Sequence, residues 1–264
     1  MLTTILFLLV VSLTINAICF AIAYYFQTDK LTDIAYALSF FLINAILVLQ
    51  GQNIDAYHVI LVAMIAIWAV RLGSFLLYRI TKLGRDNRFD AMRGNIMRFG
   101  FFWLSQALTA WVLMLPVAFV ITSSRPPAWP LALLGLLVWA IGLGVEAVAD
   151  LQKLRFRFAR SRPTPWITSG IWRYARHPNY FGEIAIWLGV YIYSLSALGL
   201  PEQVVGAASP LVITGLLLFV SGVPILEKSA DTRWGKQAAY QKYKHHTNLL
   251  LPLPIGKAHS QSKR

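Results

Sequence analysis

The chain has 264 residues, of which 57% are hydrophobic and only 13% charged, and it carries a formal net charge of +13. A soluble domain is nearer half apolar and a quarter charged. The composition therefore excludes an ordinary soluble protein and points to a polytopic membrane protein.

Seven apolar windows are long enough to cross ~30 Å of hydrocarbon as helices. They are Ile5–Phe26, Asp33–Leu49, His58–Leu77, Phe99–Thr122, Pro130–Ala149, Gly182–Leu200 and Pro210–Leu226. The predicted fold is all-α, with about seven transmembrane helices, cytoplasmic loops and an amphipathic C-terminal segment. Residues 1–254 read as one membrane domain and 255–264 as a disordered basic tail. The first window has no basic segment before it and no small-residue cleavage site after it, so it reads as a retained helix. It holds Cys19, the single cysteine, which has no intrachain partner for a disulfide.

Basic residues predict the orientation. Of the 24 Lys and Arg, 22 fall in loops 27–32, 78–98, 150–181 and the tail from 227, while the opposite loops hold only Arg125. With seven spans this places the N-terminus outside and the C-terminus in the cytoplasm. The same distribution explains the net charge through topology and attraction to anionic lipid headgroups. Nucleic acid explains it poorly, because the basic loops are short and tethered to the membrane.

Charges inside spans are costly and need a reason. Arg71, in the third window, lies two turns above Arg79, about 12 Å into the membrane. The loop that follows, KLGRDNRFDAMR, alternates Arg85, Asp86, Arg88 and Asp90. It reads equally as a cover over a site or as a salt-bridged connector. The fifth window ends EAVADLQKLRFRFAR, where Glu146, Asp150, Lys153 and Arg157 share one helix face. That face is either a salt-bridged helix end with snorkelling cations or one wall of a polar site open to the cytoplasm.

A second polar cluster, YARHPNYFGE from Tyr174 to Glu183, opens the sixth window. Pro178 suits the first position of a helix. Asn179, Tyr180 and Phe181 then form a first turn whose free N–H groups attract anions. Arg173, Arg176 and His177 lie just before it, and arginine grips phosphate through a planar fork. Gly182 permits close approach of a ligand or a neighbouring helix, and Glu183 lies one turn beyond Asn179. The structural alternative is an ordinary helix cap. Beyond the last window come Glu227, Lys228, Arg233, Tyr240, Tyr243 and Lys244, at helical spacing. These suit an interfacial helix or a lid over a cofactor. No GxGxxG, GxxxxGK[ST], HExxH, CxxC or GxSxG motif is present, and no metal site is expected.

The strings GIWRYARHPNYFGEIAIWLG, EAVADLQKLRFR, LYRITKLGRDNRFDAMR and GVPILEK with two later tyrosines resemble the bacterial DUF1295 proteins. These are similar to the steroid 5α-reductase superfamily, which includes the sterol C14 reductases. The resemblance implies a seven-helix NADPH-dependent enzyme with its cofactor site open to the cytoplasm. It places cofactor contacts on Asp150, Arg157, Asn179, Gly182 and Glu183; the polar clusters read above add Glu146, Lys153, Arg173, Arg176, His177, Tyr180, Glu227, Lys228, Tyr240 and Tyr243 to the candidate site. Steroid 5α-reductases polarise a 3-keto group with a Gln-Glu pair and a tyrosine. Here LVLQGQN supplies Gln50 and Gln52 but no glutamate, and Tyr57 and Tyr78 flank the third window. The implied reaction is hydride transfer to an activated C=C bond of a lipid-soluble, steroid-like or isoprenoid-like substrate. No obligate protein partner is evident. The string RHPxYxG also occurs in isoprenylcysteine carboxyl methyltransferases, which use S-adenosylmethionine, so a membrane methyltransferase is the alternative. That family usually carries paired glutamates where this chain has Glu227–Lys228. A non-catalytic lipid-binding protein is a third class, one that would not need such polar clusters.

Overall fold

A computed structural model of the chain describes residues 2–51, 53–84 and 89–254. Gln52, Arg85, Asp86, Arg88 and the tail 255–264 lie outside the described residues. The elements are α1 (Leu2–Tyr25), α2 (Lys30–Gln50), α3 (Ala56–Leu83), α4 (Asp90–Arg93), α5 (Ile96–Leu113), α6 (Leu115–Ile121), α7 (Trp129–Phe158), a 3-10 turn (Gly170–Arg173), α8 (Pro178–Leu195), α9 (Leu200–Gly206), α10 (Ala208–Gly215), a π turn (Leu216–Val220), α11 (Val223–Trp234) and α12 (Ala238–His245). Among the described residues the only β-type pairing is an isolated parallel bridge between Ala175 and Asn248. The fold is an all-α polytopic membrane protein.

Helices α1, α2, α3, α5, α7 and the run Leu200–Trp234 have the length and hydropathy to cross a membrane. The predicted sixth span forms α8, whose 18 residues rise ~27 Å. It is not among those six, because Asn179 and Glu183 occupy its first turns. The predicted fourth span is interrupted at Met114, with Pro116 just inside α6. Proline lacks an N–H and crowds the carbonyl four residues back, so one continuous helix cannot form. The predicted seventh span begins earlier, at Leu200, and passes through the π turn before breaking at Gly222. α7 runs nine residues beyond the predicted Ala149, because Leu151–Phe158 keeps helix-forming residues after the apolar stretch ends.

The described residues group into two compact units. Unit one comprises Met1–Trp139 and Trp187–Ile213. Its core packs Phe40 against Trp68 at 4.9 Å and Trp187 at 5.2 Å between ring centres, all three fully buried. Polar side chains set which helices meet. Asn16 on α1 donates to Ser39 Oγ on α2 (3.1 Å) and accepts from Gln106 Nε2 on α5 (2.9 Å). Ser12 donates to the Ala107 carbonyl at 2.8 Å. In hydrocarbon no water can satisfy such groups, so interhelical hydrogen bonds select the partner faces. At the basic end of α3, Arg79 pairs with Asp33 of α2 at 2.6 Å.

Unit two comprises Ala140–Ile186 and Thr214–Arg264. Here α7 and α8 touch backbone to backbone. A Cβ added to Gly182 would lie 2.6 Å from Glu146 N and 2.7 Å from Gly142 O. The two glycines therefore set how closely the two helices approach, and they bring Glu146 against the second turn of α8.

Candidate functional site

All fifteen predicted cofactor residues belong to unit two. Glu146 and Asp150 are one turn apart on α7 and only 3% and 7% exposed. Burying two carboxylates on an apolar helix is expensive unless they are paired or hydrogen-bonded. The chain beyond them is clamped to the helix end. Trp172 Nε1 donates to the Ala149 carbonyl at 3.0 Å, and the Lys153 ammonium lies 5.0 Å over the Trp172 ring. The Gln152 side chain accepts from Ile171 N at 3.0 Å. Gly170, with φ +59°, lies so close to Gln152 that a Cβ would strike it at 2.2 Å. Arg157, one turn beyond Lys153, is exposed.

At the start of α8 the C-terminal segment returns and pairs with the chain. Arg176 N donates to Asn248 O (2.8 Å), His177 N to Leu249 O (3.0 Å), and Asn248 N to Tyr174 O (3.1 Å). Those two N–H groups just before the helix are therefore already satisfied. The Arg176 and His177 side chains turn to Glu227 of α11. Arg176 Nη1 pairs with Oε2 and His177 Nε2 lies 2.8 Å from Oε1. Lys244 Nζ lies 3.3 Å from Oε2 and also binds both Asp231 oxygens, at 2.7 and 2.8 Å. A carboxylate of the chain itself thus stands where the sequence predicted an external anion. Asn179, one turn after Arg176, keeps its Oδ1 buried with no hydrogen-bond partner among the described residues.

Burial pushes the His177 imidazole below its ordinary 6.5, with Glu227 opposing and Lys153 and Arg176 adding to the depression. The ring stacks on Tyr180 at 5.6 Å and 9°. A neutral imidazole donates Nε2–H to Glu227. Because the folded value lies below the unfolded one, the unfolded chain takes up the proton first. Stability from this group is complete above pH 6.5 and falls as the pH drops through the lower folded value. Melting of purified protein is expected to shift down between neutral pH and pH 5. His177→Gln, which keeps a donor, is expected to flatten that dependence; an unchanged profile would show that His177 does not carry it.

Tyr240 is buried against Trp166 (5.1 Å) and Trp234 (5.9 Å), and the Tyr243 hydroxyl donates to the Trp172 carbonyl at 3.1 Å. Burial raises both phenols above their ordinary value. These two tyrosines hold α12 in place. Lys228 is exposed, as is Arg173, whose guanidinium lies 5.1 Å over the Tyr174 ring.

Residues 19–247 match the model of a family described as a protein of unknown function, DUF1295. The chain belongs to the DUF1295 family. No curated protein and no solved structure matches it.

The other candidates of this DUF1295 chain lie in unit one. Tyr57 is 1% exposed, and its hydroxyl donates to the Tyr193 carbonyl. The Tyr193 hydroxyl returns a bond to Tyr57 O at 2.9 Å, and the rings stack at 4.5 Å. The Tyr57 hydroxyl is thus engaged in packing. Gln50 is exposed at the C-terminus of α2. Tyr78 is 52% exposed, with Lys82 5.7 Å over its ring. Arg71 lies partly buried on α3. In the loop after α3, Arg93 pairs with Asp90 and lies 3.3 Å from the buried Asp29, so its described part behaves as a salt-bridged connector.

Sequence reasoning on this DUF1295 chain passed over Asp231, Gln152, Trp172 and Asn248. Asp231 carries a signal, since it lies one turn after Glu227 and thirteen residues before Lys244. Asn248 carries none, because its pairing with Tyr174 and Arg176 joins segments more than seventy residues apart.

Proposed function

We propose that this DUF1295 protein is a membrane reductase that transfers hydride from NADPH to an activated C=C bond of a lipid-soluble, steroid-like or isoprenoid-like substrate. The supporting observation is the buried polar set of unit two. Glu146 and Asp150 are nearly inaccessible, and the Asn179 oxygen is buried without a partner among the described residues. These groups fit a nicotinamide riboside. A carboxamide N–H₂ supplies the donor that Asn179 Oδ1 needs. Asp150 and Glu183 accept from ribose hydroxyls, and exposed Arg157, Arg173 and Lys153 suit phosphates. Bound NADPH would supply the hydride. The chain's part is to orient the cofactor and exclude water, and to stabilise the developing oxyanion with a polar donor. Of the sequence candidates for that donor, Gln50, Gln52 and Tyr57 fall in or beside the loop that this orientation places outside, and Tyr78 falls at the cytoplasmic end of its span.

The reading places the basic loops in the cytoplasm and counts α8 as a seventh span, with the N-terminus outside. A reporter fused after Arg264 is then active only on the cytoplasmic side. A reporter active on the outer side would remove both the orientation and the cytoplasmic cofactor entry.

Titrating purified protein separately with NADPH and S-adenosylmethionine tests the activity class. NADPH is expected to raise the melting temperature, with a rise that continues as the logarithm of its concentration above the dissociation constant. Stabilisation by S-adenosylmethionine alone would favour the methyltransferase reading, which draws on the same RHPNYFG string.

A further inference from the structure

We propose that Arg176, His177 and Lys244 form a phosphate seat, and that Glu227 fills it and competes with any phosphate that enters. The inference rests on reading this end of the molecule as an anion site, but not on hydride chemistry. Three donors converge on one carboxylate that offers two oxygens. Oε1 takes His177 at 2.8 Å, while Oε2 is shared between Arg176 and Lys244. A phosphate brings three terminal oxygens and up to two charges, so it matches the donors one to one. Arg176 also keeps a spare donor, because its Nε is buried with no partner among the described residues. A guanidinium fork engaged on one edge still has donors for another acceptor.

Two sets of contacts support a seat that outlasts the carboxylate. Backbone bonds from Arg176 and His177 to Asn248 and Leu249 fix the first two donors without Glu227. Lys244 sits on α12, which Tyr243 ties to Trp172 and Tyr240 packs against Trp166. Glu227, by contrast, lies one turn into α11, just after the backbone break at Gly222 (φ −96°, ψ −99°). Its removal would leave two cations, Arg176 and Lys244, and the His177 N–H around an anion-sized gap.

Pyrophosphate is the probe, added to purified protein in phosphatidylcholine nanodiscs and followed by thermal stabilisation. Glu227→Gln is expected to bind pyrophosphate at least tenfold more tightly than wild type, and a further Arg176→Ala is expected to abolish the gain. Glu202→Gln removes the same charge from unit one and is expected to change nothing. If Glu227→Gln does not fold, Glu227→Asp withdraws the carboxylate by one methylene and is expected to give a smaller gain. A second arm omits pyrophosphate and replaces part of the lipid with phosphatidic acid. Stabilisation of the Glu227 variants there alone would assign the seat to a lipid headgroup phosphate; stabilisation by pyrophosphate would assign it to a soluble ligand. Affinity at or below wild type in both arms would overturn the seat. A gain for pyrophosphate in a protein that ignores NADPH would keep the seat and remove the reductase reading.

Discussion

Gly182→Leu is expected to abolish recovery of folded protein from detergent extracts, and Gly182→Ala to lower its melting temperature substantially. Any Cβ at this position would stand 2.6 Å from the Glu146 backbone nitrogen and 2.7 Å from the Gly142 oxygen. Both obstacles are backbone, so neither can move aside as a flexible side chain would. Helix α8 must then shift away from α7. Overpacking of this kind costs ~1–3 kcal/mol for a single methyl and more for a larger group. The cost also falls on the site, because Glu146 sits at the contact. Gly144→Ala on α7 is the control. A Cβ there meets nothing within 4 Å, and alanine favours the helix by ~0.5–1 kcal/mol. Gly144→Ala is therefore expected to be neutral or stabilising. A melting temperature for Gly182→Ala equal to that of Gly144→Ala would show that the helices are not held by backbone contact.

The same arrangement marks how far the sequence could be read. Apolar windows located the membrane helices, because hydrophobic length is set by the bilayer and written locally in the chain. The interruption at Met114 was equally local, since Pro116 announces it. The polar clusters at Glu146–Asp150 and Arg176–Glu183 were visible because charges in such a chain are rare. The contacts between them were not. Gly142 and Gly182 meet across two helices and forty residues, and nothing in either segment alone names the other. Glu227 read as a residue at a membrane exit, yet it faces Arg176 and His177 some fifty residues earlier. The parallel pairing of Ala175 with Asn248 involves a tail whose leucines and prolines carry no periodic signal. Local propensity reports on neighbours in the chain, whereas these features depend on which elements pack together. Tyr57 shows the opposite limit. Its position near a predicted helix end suited a polarising hydroxyl, but pairing with Tyr193 engages that hydroxyl in the core.

Asp150→Asn and Glu183→Gln are each expected to weaken NADPH binding by ~10- to 100-fold, the scale of a lost hydrogen bond to a charged group, ~1.5–3 kcal/mol. Both substitutions keep the side-chain shape and remove the charge. Asp150 is 7% exposed on α7, and Glu183 follows Gly182 where α8 touches that helix. The sequence separates them by 33 residues, so only the folded unit can make them one site. Residues that share a ligand do not act additively, so the double variant is expected to lose less than the sum of the singles. Folding is expected to survive in all three, since neither change adds volume, and unchanged size-exclusion behaviour would verify it. The most direct test of the central claim is therefore the NADPH dissociation constant of wild type, both single variants and the double variant, measured by calorimetry in one lipid composition. A cofactor site built on the ends of α7 and α8 predicts weaker binding in each single variant and a sub-additive loss in the double. Wild-type affinity in both single variants would contradict it and leave YARHPNYFGE as the cap of a membrane helix.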